Sequence, residues 1–174
     1  ENGRLATLRT GPQIKLGGEE WPNSFYAVSK TFGESLLRLY SAVQGHYDGI
    51  AVRIGWIQFD DPAKAPLPLS WDTPAHREYL RAVWLSKRDA HGYFQALLAL
   101  PLPDCGGSFN ACWATSNNGH AVFDLDETVD FLKYRPQDNA EDFFVSACHS
   151  SPNAKDVQRN AGAVEVAGVS KTSA

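Results

Sequence analysis

The chain reads as an α/β protein, and three observations carry that reading. Phe25, Val28, Phe32, Leu36, Leu39 and Val43 recur at spacings of three and four, the stripe of an amphipathic helix. The run Gly49 to Gly55 is almost continuously apolar, as a buried strand is. Ser108 to Ala114 reads as a second short strand, with helical patterns before and after it.

In order, residues 1 to 22 are rich in glycine and proline without apolar periodicity and read as an irregular lead-in. Pro22 stops that segment, Asn23 or Ser24 can cap the helix, and Gly45 can close it. The stripe is expected to pack on a core. After the strand, Pro62, Pro66, Pro68 and Pro74 make residues 58 to 75 a long loop, a frequent location for binding elements. Ser86 with Asp89 reads as a capping box opening a helix through Ala90, Phe94, Leu97 and Leu98, which Pro101 ends. Thr115 to Gly119 reads as a turn. Asp124 or Asp126 can cap a short helix through Val129 and Leu132, with Lys133 and Arg135 at its C-terminal end. From Ser146 onward Leu, Ile, Phe, Trp and Tyr are absent, so residues 146–174 are expected to be disordered.

Composition narrows the functional classes. A net charge of −4 and a pI near 5.7 without a basic cluster argue against a nucleic-acid partner. No apolar run approaches membrane-spanning length. Cys105, Cys112 and Cys148 lack Cys-x-x-Cys spacing and the five histidines form no ligand pattern, so no metal site is expected. The sparse, odd cysteine count suits a reducing, cytoplasmic compartment.

One pair points to chemistry. Tyr26 and Lys30 stand four apart near the start of the first helix, which places a phenol beside an ammonium. A free phenol titrates near pH 10, so it exchanges protons poorly at neutrality unless a positive charge favours its phenolate. By helical geometry the pair projects roughly 100 to 140° from the centre of the apolar stripe. Taken alone, a Tyr/Lys pair at this spacing is a common surface feature.

Its surroundings are more specific. The segment Tyr26-Ala-Val-Ser-Lys-Thr-Phe-Gly-Glu34 is followed by the strand Gly49 to Gly55 and by Trp84-Leu-Ser-Lys-Arg-Asp89. Phe109 to Asn117, Phe123-Asp-Leu and Tyr134-Arg-Pro-Gln-Asp-Asn139 come next. In this order the chain resembles the second half of an extended short-chain dehydrogenase/reductase of the NAD-dependent epimerase/dehydratase family, in its uronate-dehydrogenase-like branch. The resemblance covers roughly residues 20 to 145. It implies the C-terminal portion of a Rossmann-like doubly wound parallel sheet over residues 23–145, with the N-terminal nucleotide-binding half missing. The chain contains no Gly-x-Gly-x-x-Gly after a strand. It has no Met and begins at Glu1, so an internal or C-terminal piece of a longer protein is expected. A strand whose sheet neighbours are missing would make such a piece marginally stable.

The resemblance also implies function. The parent would be an NAD- or NADP-dependent oxidoreductase acting on a sugar or sugar-acid hydroxyl, cytoplasmic and compatible with a homo-oligomer, and the chain alone would be inactive. Tyr26 would be the general acid/base, and Lys30 would lower its pKa and hold the nicotinamide ribose. Ile54 would join Tyr26 and Lys30 at the cofactor, and the catalytic Ser or Thr would lie upstream. Uronate dehydrogenases grip the sugar carboxylate with an arginine shortly before the Trp-Leu-Ser segment. Here Tyr79 occupies that position, flanked by Arg77 and Arg81. These three, with Trp56 at the strand's end, are the substrate-binding candidates; Trp56 can equally fill core. The alternatives are a sugar-nucleotide epimerase or dehydratase, and a non-catalytic interaction module.

Overall fold

The computed structural model describes residues 12–18, 22–45, 47–101 and 107–144. Most of the lead-in and the segment from residue 145 onward lie outside the described residues.

The first helix, α1, is Phe25–Gln44. Ser24 Oγ accepts from the Ala27 N–H, and Gly45 closes the helix in the left-handed conformation at φ 63°. Strand β1, Gly49–Ile54, pairs in parallel with β2, Phe109–Ala114, with Gly49 opposite Phe109 and Ile54 opposite Ala114. Parallel strands need a crossover between them, and here it holds two helices, α2 (Pro74–Val83) and α3 (Lys87–Leu98). Helix α4, Asp126–Leu132, follows β2.

Helices cover both faces of this two-stranded sheet. One face, with Ile50, Val52, Cys112 and Ala114, packs with Tyr93 and Ala90 of α3 and Leu132 of α4 into the main core. The other lies under α1. Leu37 and Ser41 stand against Gly49, each 2.7 Å from where a Cβ would be, and Glu34 meets Arg53. The helix therefore runs antiparallel to β1.

The exposure of the α1 stripe overturns the expectation that it packs on a core. Phe25 is 97 % exposed and Phe32 66 %, and Val28, Leu36, Leu39 and Val43 are exposed with them. The reason is rotational. The sheet-facing side of α1 carries Ala27, Thr31, Glu34 and Ser41, and the stripe lies about half a turn away from it. Its charged residues, Lys30, Glu34 and Arg38, all fall on the sheet-facing half, so α1 is inverted relative to an ordinary solvated helix.

The Pro-rich segment also departs from expectation. It contains a 3-10 turn, Pro62–Lys64, and it leads into α2, for which Thr73 is the cap and Pro74 the first helical residue. Thr115 and Ser116, read as the start of a turn after β2, are buried. In α4 the side-chain cap comes from Asp124, whose Oδ1 accepts from the Asp126 N–H at 2.9 Å.

A buried carboxylate ties the later elements together. Asp89, fully buried, accepts from Ser116 Oγ (2.7 Å), Tyr134 Oη (2.9 Å), and the N–H groups of Gln137 (2.8 Å) and Asp138 (3.0 Å). The capping box is thus modified. Ser86 Oγ accepts from the Asp89 N–H, but the Ser86 N–H bonds Ser116 Oγ, which in turn donates to Asp89.

Candidate active site

Two contacts fix the height of α1 along β1. Ser41 lies level with Gly49 and Glu34 level with Arg53. Lys30 lies one further turn toward the helix N-terminus, about 6 Å along the axis, while only Ile54 remains of the strand, about 3.3 Å. Tyr26 and Lys30 therefore project beyond the carboxyl end of a parallel strand, where ligands bind in open α/β sheets.

There the two side chains meet. Lys30 Nζ lies 5.1 Å from the Tyr26 ring centroid, over its face, and Tyr26 is 71 % exposed. The amine has three donors and, among the described residues, no carboxylate partner. Gly33, one turn on, has no atom within 4 Å of where a Cβ would be, so a ligand can approach the helix backbone. Ile54 is about half exposed at the strand's end. An ammonium with its donors exposed, a phenol beside it and an open apolar side chain thus line one accessible edge of the sheet.

The other candidates lie elsewhere. Trp56 is half-buried and packs with Ala82, Val83 and Val122, its ring edge-on to Phe59 at 5.3 Å. Its backbone joins Val83 and Leu85 at 2.8 and 3.0 Å, so it closes the sheet's end against α2. On α2, Tyr79 is half-exposed, and desolvation pushes its phenol above the ordinary value. Arg77 Nε donates to Asp72 Oδ1 at 2.6 Å, which holds the Asp72 carboxyl below the usual range. Arg81 forks onto Glu141, with Nε at 2.7 Å from Oε1 and Nη2 on Oε2, and its guanidinium lies 4.5 Å over the Phe144 ring. Both arginines already hold carboxylates. Neither hydrogen-bonds Tyr26 or Lys30.

Two side chains at the site escaped the sequence reading. Arg53 forks onto Glu34, Nη2 to Oε1 at 2.7 Å and Nε to Oε2 at 3.1 Å, which locks α1 to β1. Arg53 is the one charge inside an apolar strand, and a charge so placed needs a partner. That signal was present. Which acid answers it, 19 residues away, periodicity does not say.

No family model matches the chain. Three proteins are informative. The chain is 32 % identical over 119 residues to an L-arabinose 1-dehydrogenase (NAD(P)(+)) of Haloferax volcanii, covering 68 % of this chain and 44 % of that protein. It is 30 % identical over 147 residues to the uronate dehydrogenase of Agrobacterium fabrum, covering 84 % of this chain and 46 % of the relative. Among solved structures, the uronate dehydrogenase of Agrobacterium tumefaciens superposes with a TM-score of 0.58 at 25 % identity, over 83 % of this chain and 47 % of that one. The chain thus spans less than half the length of the curated relatives it matches. Its two parallel strands with helices on both faces are part of a Rossmann-like sheet. By sequence and by fold alike, the chain belongs to the extended short-chain dehydrogenase/reductase family of enzymes, and its segments are those of the C-terminal half of a uronate-dehydrogenase-like member.

Proposed function

We propose that the chain supplies the proton-transfer half of an NAD(P)-dependent sugar dehydrogenase. The observation that supports this is the exposed Tyr26–Lys30 pair beyond the carboxyl end of β1. As phenolate, Tyr26 takes the proton from the sugar hydroxyl being oxidised. Lys30 keeps the phenolate form favourable and donates hydrogen bonds to the nicotinamide ribose, and Ile54 bounds the nicotinamide pocket. The bound dinucleotide supplies a hydride acceptor. Residues 23–145 would form one body with a preceding nucleotide-binding half. General acid–base catalysis of this kind contributes about 10² to 10⁴ in rate.

The sugar this site suits is a neutral aldose. Tyr79 stands where the resemblance expects the carboxylate-gripping arginine, and Arg77 and Arg81 are engaged by Asp72 and Glu141. A uronate would have to break one of those pairs to be gripped by two parallel bonds. The similarity to an arabinose dehydrogenase agrees with a neutral substrate.

The test is a chimera in which residues 22–144 follow the nucleotide-binding half of the haloarchaeal L-arabinose dehydrogenase. The expected result is NAD(P)H formation with aldoses at a higher kcat/KM than with glucuronate. A folded, NAD-binding chimera that oxidises no sugar overturns the proposal, and one that prefers glucuronate overturns the neutral-substrate part.

A further inference from the structure

We infer that Arg53 and Arg38 are positioning residues that hold the Glu34 carboxylate off Lys30, so that the lysine's charge stays with Tyr26. The inference rests on the Tyr–Lys reading above. Tyr26, Lys30, Glu34 and Arg38 follow one another at steps of four residues, so each can reach the next along one side of α1. Left to the helix alone, Glu34 has Lys30 one turn before it and Arg38 one turn after it. A carboxylate on Lys30 would cancel the charge that favours phenolate.

The geometry directs Glu34 the other way. Arg53 takes both carboxylate oxygens, at 2.7 and 3.1 Å, and Arg38 Nη2 stands 3.7 Å from Oε1. Arg53 is itself held, its guanidinium 4.9 Å over the Trp113 ring, and Arg38 lies 4.6 Å over Phe109. The Arg53 and Glu34 side chains are 20 % and 13 % exposed, so the pair is screened less than a surface pair. Helix order acts in the same direction, since Glu before Arg at this spacing is better than Lys before Glu. Among the described residues, the charged groups facing Glu34 are Arg53 from β1 and Arg38 and Lys30 from α1, and β2 presents the uncharged Phe109, Ala111 and Trp113 on that face. Lys30, released from the acid, lies over Tyr26.

The experiment titrates the Tyr26 phenol in the 174-residue chain by carbon NMR of ring-labelled tyrosine, with the signal assigned by its loss in Tyr26→Phe. In the native background Lys30→Gln moves the midpoint to higher pH, because the positive charge beside the phenolate is lost. In the Arg38→Gln/Arg53→Gln background Glu34 turns onto Lys30, and the same Lys30→Gln change moves the midpoint by less than half as much. Adding Glu34→Gln restores the full effect. Because the readout is a difference between backgrounds, the direct field of the lost arginines cancels. An equal Lys30→Gln effect in all three backgrounds overturns the inference. No Lys30→Gln effect in the native background overturns the Tyr–Lys reading itself. Should the double arginine variant not fold, Arg53→Gln with its Glu34→Gln rescue gives the same test with a smaller difference.

Discussion

Replacing Asp89 by Asn removes one charge and exchanges one acceptor oxygen for a donor at a buried carboxylate that accepts four hydrogen bonds. The native carboxylate receives two donors on each oxygen. Tyr134 Oη and the Gln137 N–H reach Oδ1, and Ser116 Oγ and the Asp138 N–H reach Oδ2. Whichever way the amide turns, its NH₂ faces one hydroxyl, which can rotate to accept, and one backbone N–H, which cannot. A buried hydrogen bond to a charged group contributes about 1.5–3 kcal/mol, and an unsatisfied buried donor costs about 1–3 kcal/mol. With one backbone bond lost outright and the others weakened, Asp89→Asn should cost about 3 kcal/mol, read from the urea midpoint at unchanged slope. Tyr134→Phe removes only one of these donors and should cost about 1 kcal/mol. In a double-mutant cycle the two should be coupled, because they share an oxygen. A loss below about 1 kcal/mol for Asp89→Asn would refute the view that this carboxylate ties segment 137–138 to α3.

Other expectations follow from burial. Phe32→Ser, on the outward stripe of α1, should change the stability of this chain by less than about 0.5 kcal/mol, whereas Leu85→Ala in the core should cost about 2–5 kcal/mol. Chemical denaturation of the two variants checks the inverted helix, and a large Phe32 effect would contradict it. Burial pushes the Cys112 thiol from 9.0 up to about 11. A folded-state pKa above the unfolded one gives stability that is complete below about pH 9 and lost as pH rises toward 11, here about 2–3 kcal/mol. Denaturation of the chain and of Cys112→Ala at pH 8 and pH 10.5 should show a smaller alkaline loss in the variant, and parallel curves would argue against this origin.

Much of the local structure was legible in the sequence because its signals are local. Ser24, Gly45, Ser86 and Pro101 punctuate their helices by chemistry that acts within one turn. What the sequence did not tell was orientation. The period of the α1 stripe shows that an apolar face exists, but not on which side of the helix the sheet stands. In this chain the sheet takes the side with Ala27, Thr31 and Ser41. Helix α2 was hidden by the prolines read as loop, although Thr73 and Pro74 form a cap followed by a favoured first residue. The Glu34–Arg53 lock and the Asp89 hub were not legible, since each joins residues far apart in sequence through side chains whose partners only the fold selects. For the proposed site, the four-residue spacing of Tyr26 and Lys30 told that their side chains can meet, as they do, while their roles came from the family resemblance; Arg77 and Arg81 prove to be engaged by acids.

The proposed chemistry is tested most directly by the turnover of Tyr26→Phe in the chimera, compared with its parent at saturating sugar and NAD(P)⁺. The account predicts that kcat falls by about 10² to 10⁴ while dinucleotide binding is kept, because only the proton-accepting oxygen is removed. Near-normal kcat in a folded Tyr26→Phe chimera would contradict it.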